Sequence, residues 1–173
     1  MNPRVAVFIL VIGYLSLAGM PAQAEDVVRR DTPSGLPVPR FVSLKDEETN
    51  CRIGPSFEHP VRFVFKRSGA PVLVVAESVD HWRKLRDSEG DECWAHQTTL
   101  KAQTHVLTIA PVELTRKPGE NAAVSAHLGS GVLARLVKRR NGRLLLSAGA
   151  AKGWVDADAV WGGEAPGASD RRN

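Results

Sequence analysis

Asn50-Cys51-Arg52-Ile53-Gly54-Pro55 opens the most patterned part of the chain, and Trp82 and Cys93-Trp94 answer it downstream. A turn at Gly54-Pro55, short alternating stretches, two spaced tryptophans and the only two cysteines fall within one compact segment. That combination reads as a small β-barrel locked by a disulfide.

The flanking residues extend the strand pattern. Phe41-Val42-Ser43-Leu44 alternates at its start, and Pro60-Val61-Arg62-Phe63-Val64-Phe65 places Val61, Phe63 and Phe65 on one face. Gly69-Ala70-Pro71 breaks the pattern, and Val72 to Ala76 is an apolar, β-branched run suited to a buried strand. Trp82, Lys84 and Arg86 alternate with Arg83 and Leu85, Asp87-Ser88-Glu89-Gly90 turns, and Cys93-Trp94-Ala95 returns. No helix-period stretch competes. Short strands with frequent turn signals predict an all-β unit.

From His105 to Trp161 the plan repeats more loosely. Val106 to Ile109 and Val112 to Thr115 are strands, the second leading into Arg116-Lys117-Pro118-Gly119 as Arg52-Ile53 leads into Gly54-Pro55. Leu133 to Val137 and Leu144-Leu145-Leu146 flank Asn141-Gly142, the strongest hairpin signal in the chain. Ala148 to Gly153 reads as a turn, Trp154-Val155 closes the unit, and Trp161 is expected to plug it. Each unit of about 60 residues would bury only about 60% of its unfolded surface, so packing between the two is expected.

At the start, Arg4 precedes an apolar run from Val5 to Ala18, broken by Gly19-Met20-Pro21 and followed by Ala22-Gln23-Ala24. This is the layout of a secretory signal peptide over 1–24, cleaved after Ala24. The run falls short of the roughly 20 residues a spanning helix needs, so no membrane span is expected after cleavage, and the periplasm is the expected location. Residues 25–39 read as a Pro-rich linker and 163–173 as a disordered tail. Arg4 is the only charge in 1–24, so its removal takes the net charge from +4 to +3. So mild a charge, on an exported chain, does not point to nucleic acid.

Two cysteines in an exported chain, Cys51 and Cys93, are most simply a disulfide. The alternatives are a cysteine nucleophile near His96, or half a metal site in Cys93-Trp94-Ala95-His96 with no second pair to complete it. No Gly-x-Ser-x-Gly, phosphate-binding glycine loop or His-Glu-x-x-His occurs, and the five histidines are scattered singly. We therefore expect no catalytic, cofactor-binding or metal residues.

The residues Asn50-x-Arg52-x-Gly54-Pro55, Val61, Phe65, Gly69-x-Pro71, Val75-Ala76-Glu77, Trp82-x-Lys84-x-Arg86-Asp87, Trp94 and His96 together resemble the bacterial SH3 (SH3b) domain family. The second unit is similar to a degenerate copy through Pro118-Gly119, Gly131-Val132 and Gly153-Trp154-Val155. The resemblance implies two small SH3-like barrels in tandem, over 40–101 and 104–162, in a family whose usual role is binding cell-wall peptides or accompanying cell-wall hydrolases. The family usually carries an aliphatic residue at the position of Cys51 and a glycine at that of Cys93. The double change to cysteine implies a bridge between the first and last strands of the barrel.

A binding or adaptor role in the envelope is therefore expected, with a cell-wall peptide or an envelope protein as partner. The alternative is a regulator or inhibitor of an envelope enzyme such as a cell-wall hydrolase. Trp82 is the foremost ligand candidate, Trp94 the second, and Arg52, Arg83 and Arg86 could hold carboxylates through paired hydrogen bonds. The only tyrosine, Tyr14, lies in the signal, so the tyrosine-lined polyproline groove of eukaryotic SH3 domains is not implied. Lys138-Arg139-Arg140 with Arg143 forms a basic hairpin tip, suited to anionic lipid or polysaccharide but more simply a solvated surface.

Overall fold

The computed structural model describes residues 28–119 and 121–164. The expected signal peptide, the first residues of the expected linker and most of the expected tail lie outside the described residues. Strands account for nearly all regular structure. The first unit is one seven-stranded antiparallel sheet: β1 (Arg40–Leu44), β2 (Thr49–Arg52), β3 (Val61–Phe65), β4 (Pro71–Glu77), β5 (Trp82–Arg86), β6 (Glu92–His96) and β7 (Leu100–Ala102), in the spatial order β3-β2-β6-β5-β4-β1-β7. The second is six-stranded: β8 (His105–Leu107), β9 (Val112–Thr115), β10 (Val124–Leu128), β11 (Leu133–Arg140), β12 (Arg143–Ala148) and β13 (Ala151–Asp156), in the order β10-β9-β13-β12-β11-β8.

Neither ladder closes into a ring. Each sheet ends in two edge strands, and bulges at Cys51/Arg52, Val74/Ala76, Val124/Ala126 and Leu136/Lys138 bend it over its own core. The first core gathers Leu44, Cys51, Val72, Val74, Leu85, Cys93 and Ala95; the second gathers Val106, Leu114, Ala134, Leu144, Leu146 and Val155. In both, alternation along the strands supplies the inward residues. Each final hairpin then runs into a three-residue 3₁₀ turn, Gln97–Thr99 in the first unit and Ala157–Ala159 in the second. That repeated ending is the internal repeat seen as structure.

Asn141 and Gly142 both take positive φ, 48° and 70°, as a tight two-residue hairpin between β11 and β12 requires. The turn expected over Ala148 to Gly153 is shorter. Ala151 to Gly153 already pair with β12, leaving only Gly149 and Ala150 to turn.

Three expectations change. The disulfide between Cys51 and Cys93 is present, with Cα atoms 5.4 Å apart, but it joins neighbouring strands β2 and β6 rather than the first and last. The segment read as a linker folds back on the first unit: Arg29 and Val38 exchange backbone hydrogen bonds, and Val38, held between two prolines, is buried in the core. Trp161 does not plug the second unit. Its Nε1 donates to the Pro71 carbonyl at 3.0 Å and its ring meets Phe41 edge-on, so it spans the seam between the units. Thr104 N–H to Ser43 Oγ and Arg67 Nη1 to the Gly131 carbonyl close the same seam, each at 3.1 Å.

Candidate functional site

Register decides what the outer face of β5 and β6 presents. Trp82 pairs with His96, Lys84 with Trp94 and Arg86 with Glu92, while Arg83 pairs with Ala95 and Leu85 with Cys93. Paired residues share a face, so Trp82, Lys84 and Arg86 lie outward with Trp94 and His96. Arg83 lies on the opposite, core-facing side.

Trp82 is nevertheless only 4% exposed. The reason is Phe57, in the loop between β2 and β3, whose ring stands edge-on to Trp82 with centroids 4.9 Å apart. His96 completes a cluster, 5.5 Å from Trp82 and 5.6 Å from Phe57. Phe57 itself is 65% exposed. The aromatic surface that meets solvent here is therefore Phe57, with Trp82 as the floor beneath it. Sequence reasoning missed Phe57; the available signal was an aromatic residue in a loop after Gly54-Pro55, where no strand could bury it.

The loop that carries Phe57 is braced from below. Arg52 Nη1 donates to the His59 carbonyl at 2.7 Å, and its guanidinium carbon lies 5.8 Å from the Phe57 centroid. Ser56 Oγ lies 2.9 Å from His59 Nδ1, and the His59 ring covers Gly54 so closely that any Cβ there would overlap it. On the other side, the turn Ser78–His81 brings His81 beside His96, with φ of 66° at His81. Ile53 in the first loop and Val79 in the second are both exposed. The result is an aromatic cluster, capped by the exposed Phe57 and flanked by apolar residues and one arginine.

Arg83 is placed elsewhere. It is 5% exposed, with Nε 3.2 Å from Glu77 Oε1 and Nη2 donating to Gln97 Oε1 at 2.8 Å. Burial lowers its pKa and the Glu77 charge opposes that shift. The side chain of Glu77 is fully buried and also accepts from Arg40 and from the backbone N–H and hydroxyl of Ser34. Burial works to raise the Glu77 pKa, but the hydrogen bonds from Arg40 and Ser34 outweigh it and the net shift is downward. This cluster fastens the N-terminal segment to β4 and β5, so Arg83 is committed to architecture. Consecutive residues of one strand cannot share a face, which is why Trp82 and Arg83 do not form one surface.

Arg86 holds Glu92 at 2.8 Å, and Lys84 pairs with the same carboxylate. The Lys84 hydrogen bond is the main cause that lowers the Glu92 pKa, opposed by burial and helped by Arg86. Trp94, half-buried, lies across from both Lys84 and Arg52. Of the five expected ligand residues, Trp82 lies beneath Phe57 and Arg52 at the edge of its ring. Trp94 pairs with Arg52 and Lys84 on the same sheet, Arg86 is in an ion pair, and Arg83 is buried on the opposite face.

Among the described residues, no group of three or more His, Cys, Asp or Glu side chains is placed to hold a metal ion. No described helix is long and apolar enough to cross a membrane.

The bacterial SH3 domain family model matches residues 45–101 and again 110–162. None of the curated proteins is significantly similar to the chain. Among solved structures, NlpC2 and NlpC1 from Trichomonas vaginalis are similar at 10% and 12% identity, with TM-scores of 0.34 and 0.32. Each match covers 71% of this chain, which spans only 48% and 45% of those chains. Likeness of that degree says nothing of activity. The family match covers more than half of the chain and falls on both sheets, and on that ground the chain belongs to the bacterial SH3 domain family.

Proposed function

We propose that the protein is an exported, non-enzymatic binding module of the bacterial envelope whose aromatic patch at Phe57, built on Trp82 and His96, takes a cell-wall peptide or a segment of an envelope protein. The observation that carries this reading is Phe57, exposed above a buried tryptophan and braced by Arg52. A large aromatic ring held out in water by a rigid loop is apolar area ready to be covered, with little ordering cost on binding. Arg52 at its edge suits a carboxylate beside that apolar contact. The buried Cys51–Cys93 bridge fits an oxidising compartment, in keeping with export to the periplasm.

Sedimentation with purified peptidoglycan tests it, comparing wild type with Phe57→Ala after both are shown to be folded. Retention of wild type and loss in the variant is the expected result. Equal retention of both removes the aromatic patch from the function. If neither is retained, and crosslinking in cells traps one wall hydrolase instead, the protein is a regulator or inhibitor of that enzyme.

A further inference from the structure

The second unit has a cleft where the first has its aromatic cluster, and its chemistry is different. Trp82 opens β5 and pairs with His96, the last residue of β6, directly before a 3₁₀ turn. Arg143 opens β12 and pairs with Asp156, the last residue of β13, directly before the other. Trp82 and Arg143 are equivalent positions. The loop after β2 that carries Phe57 corresponds to the loop after β9 that carries Pro118 and Gly119. There, Pro118, Gly119, Arg140, Asn141 and Arg143 line a cleft of about 310 Å³.

Two features of this cleft are unfavourable in the empty protein. Arg140 and Arg143 stand directly opposite one another in the β11–β12 register, and like charges so placed repel. The Arg143 side chain is only 18% exposed, and its buried Nε has no hydrogen-bond partner among the described residues. Leaving such a donor unmade is costly. Asp156 Oδ1 lies 3.3 Å from Nη1 of Arg143, but that aspartate is 60% exposed and lends its charge largely to water. Arg139, next in the basic run, is turned away: it donates to the Gly162 and Gly163 carbonyls and to Gln103 Oε1. The run is therefore not a uniformly basic surface; Arg140 faces a walled cleft with Arg143.

We propose that this cleft is an oxyanion site, holding a carboxylate or a phosphate group between Arg140 and Arg143. The anion offsets the repulsion of the facing arginines and accepts from their guanidinium Nη–H groups, the Arg143 Nε being closed to solvent. The walls of Pro118 and Gly119 select a group presented on a narrow chain rather than a flat charged surface. The site lies on the second unit and does not depend on the Phe57 patch.

The test is an NMR titration of the whole ¹⁵N-labelled mature protein with two probes, inorganic phosphate and triglutamate. Saturable shifts of the Arg143 Nε–H and of the Gly119 and Asn141 amides are expected, with a dissociation constant of about 1 mM. Arg140→Gln, at an exposed side chain, is expected to weaken the response about tenfold. Tighter saturation by triglutamate assigns a carboxylate-bearing chain, and tighter saturation by phosphate assigns a phosphate. Shifts that stay linear in probe concentration, or that Arg140→Gln leaves unchanged, overturn the proposal. So does binding to phosphatidylglycerol vesicles with neither soluble probe bound. Phe57→Ala is expected to leave these shifts unaltered, which separates this site from the aromatic patch of the first unit.

Discussion

The indole of Trp161 donates its Nε1–H to the carbonyl of Pro71, 90 residues earlier in the chain, and so ties the end of the second unit to β4 of the first. Phe41 meets the same ring at right angles, with centroids 5.0 Å apart, and Trp161 also exchanges backbone hydrogen bonds with Leu107. One residue thus touches both sheets, and the two units share a seam rather than a tether.

Replacing Trp161 is expected to loosen that seam. Trp161→Phe keeps a ring against Phe41 but loses the donor, at a cost of about 1 kcal/mol. Trp161→Ala loses the ring as well and costs about 2–3 kcal/mol, below the range for a fully buried aromatic because Trp161 is only partly buried. Urea unfolding followed by fluorescence and by circular dichroism is expected to coincide in wild type and to separate in Trp161→Ala. Coincident curves in the alanine variant would show that the seam does not couple the units.

The Cys51–Cys93 bridge closes a loop with a sequence separation of 42. A chain-entropy estimate gives about 4 kcal/mol for a loop of that length. The double variant Cys51→Ala, Cys93→Ala is expected to lose about that much, read as a lower urea midpoint. Intact-mass analysis of the purified protein is expected to find alkylated thiols only after reduction. Two alkylated thiols without reductant would refute the bridge in the native protein.

Acid sensitivity follows from Glu77 and His105. The native pKa of Glu77 lies below its unfolded value, so its stabilisation is complete above about pH 4.3 and is lost as pH falls through the lower native value. Burial, then Lys101 and Arg135, lower the pKa of His105, and the sign is the same. Its contribution is complete above about pH 6.5 and falls away as pH drops through its native value. Stability is expected to decline in two steps on acidification. Glu77→Gln leaves Arg40 and Arg83 without their buried counter-charge, costs about 3–5 kcal/mol at pH 7 and shrinks the lower step, to which Glu92 also contributes. Urea midpoints measured from pH 8 to pH 3 check both; an unchanged lower step in Glu77→Gln would be the wrong outcome.

Phe57→Ala is expected to uncover Trp82 with little loss of stability. Phe57 is mostly exposed, so the change should cost less than about 1 kcal/mol. Acrylamide quenching reads the uncovering: the variant is expected to show a newly accessible tryptophan, lost again when Trp82 is also changed to Phe. Unchanged quenching would mean that Trp82 is shielded by something other than the Phe57 ring.

Much of this protein was legible in one dimension. Alternation at Val61-Arg62-Phe63 and the β-branched run at Val72 to Ala76 announce strands, and Asn141-Gly142 announces its hairpin through positive φ. Those signals are local. They hold whatever the rest of the chain does, because they arise from backbone sterics and the two-residue period of a strand.

The candidate site was legible only in part. Trp82 stood out because tryptophan is rare in the chain, and Arg52 because it sits in the Asn50-Cys51-Arg52-Ile53-Gly54-Pro55 stretch. Phe57 was missed, and Arg83, expected to face a ligand, is buried against Glu77 and Gln97, because facing and cover are not properties of a segment. A strand has two faces, and pairing chooses which of Trp82 and Arg83 looks inward. Val38, between two prolines, read as linker and became core for the same reason: only its packing partners reveal the cavity it fills.

The amino-acid sequence by itself determined the strands, the tight turns, the pair of cysteines and the repetition of one plan. Tertiary structure alone decided that Phe57 roofs Trp82, that Arg143 takes the place of Trp82 in the second unit, and that Trp161 belongs to the seam. The division is physical. Local conformation depends on torsional preferences within a few residues, whereas burial and charge pairing depend on contacts between residues tens of positions apart, which exist only once the sheets have set their register.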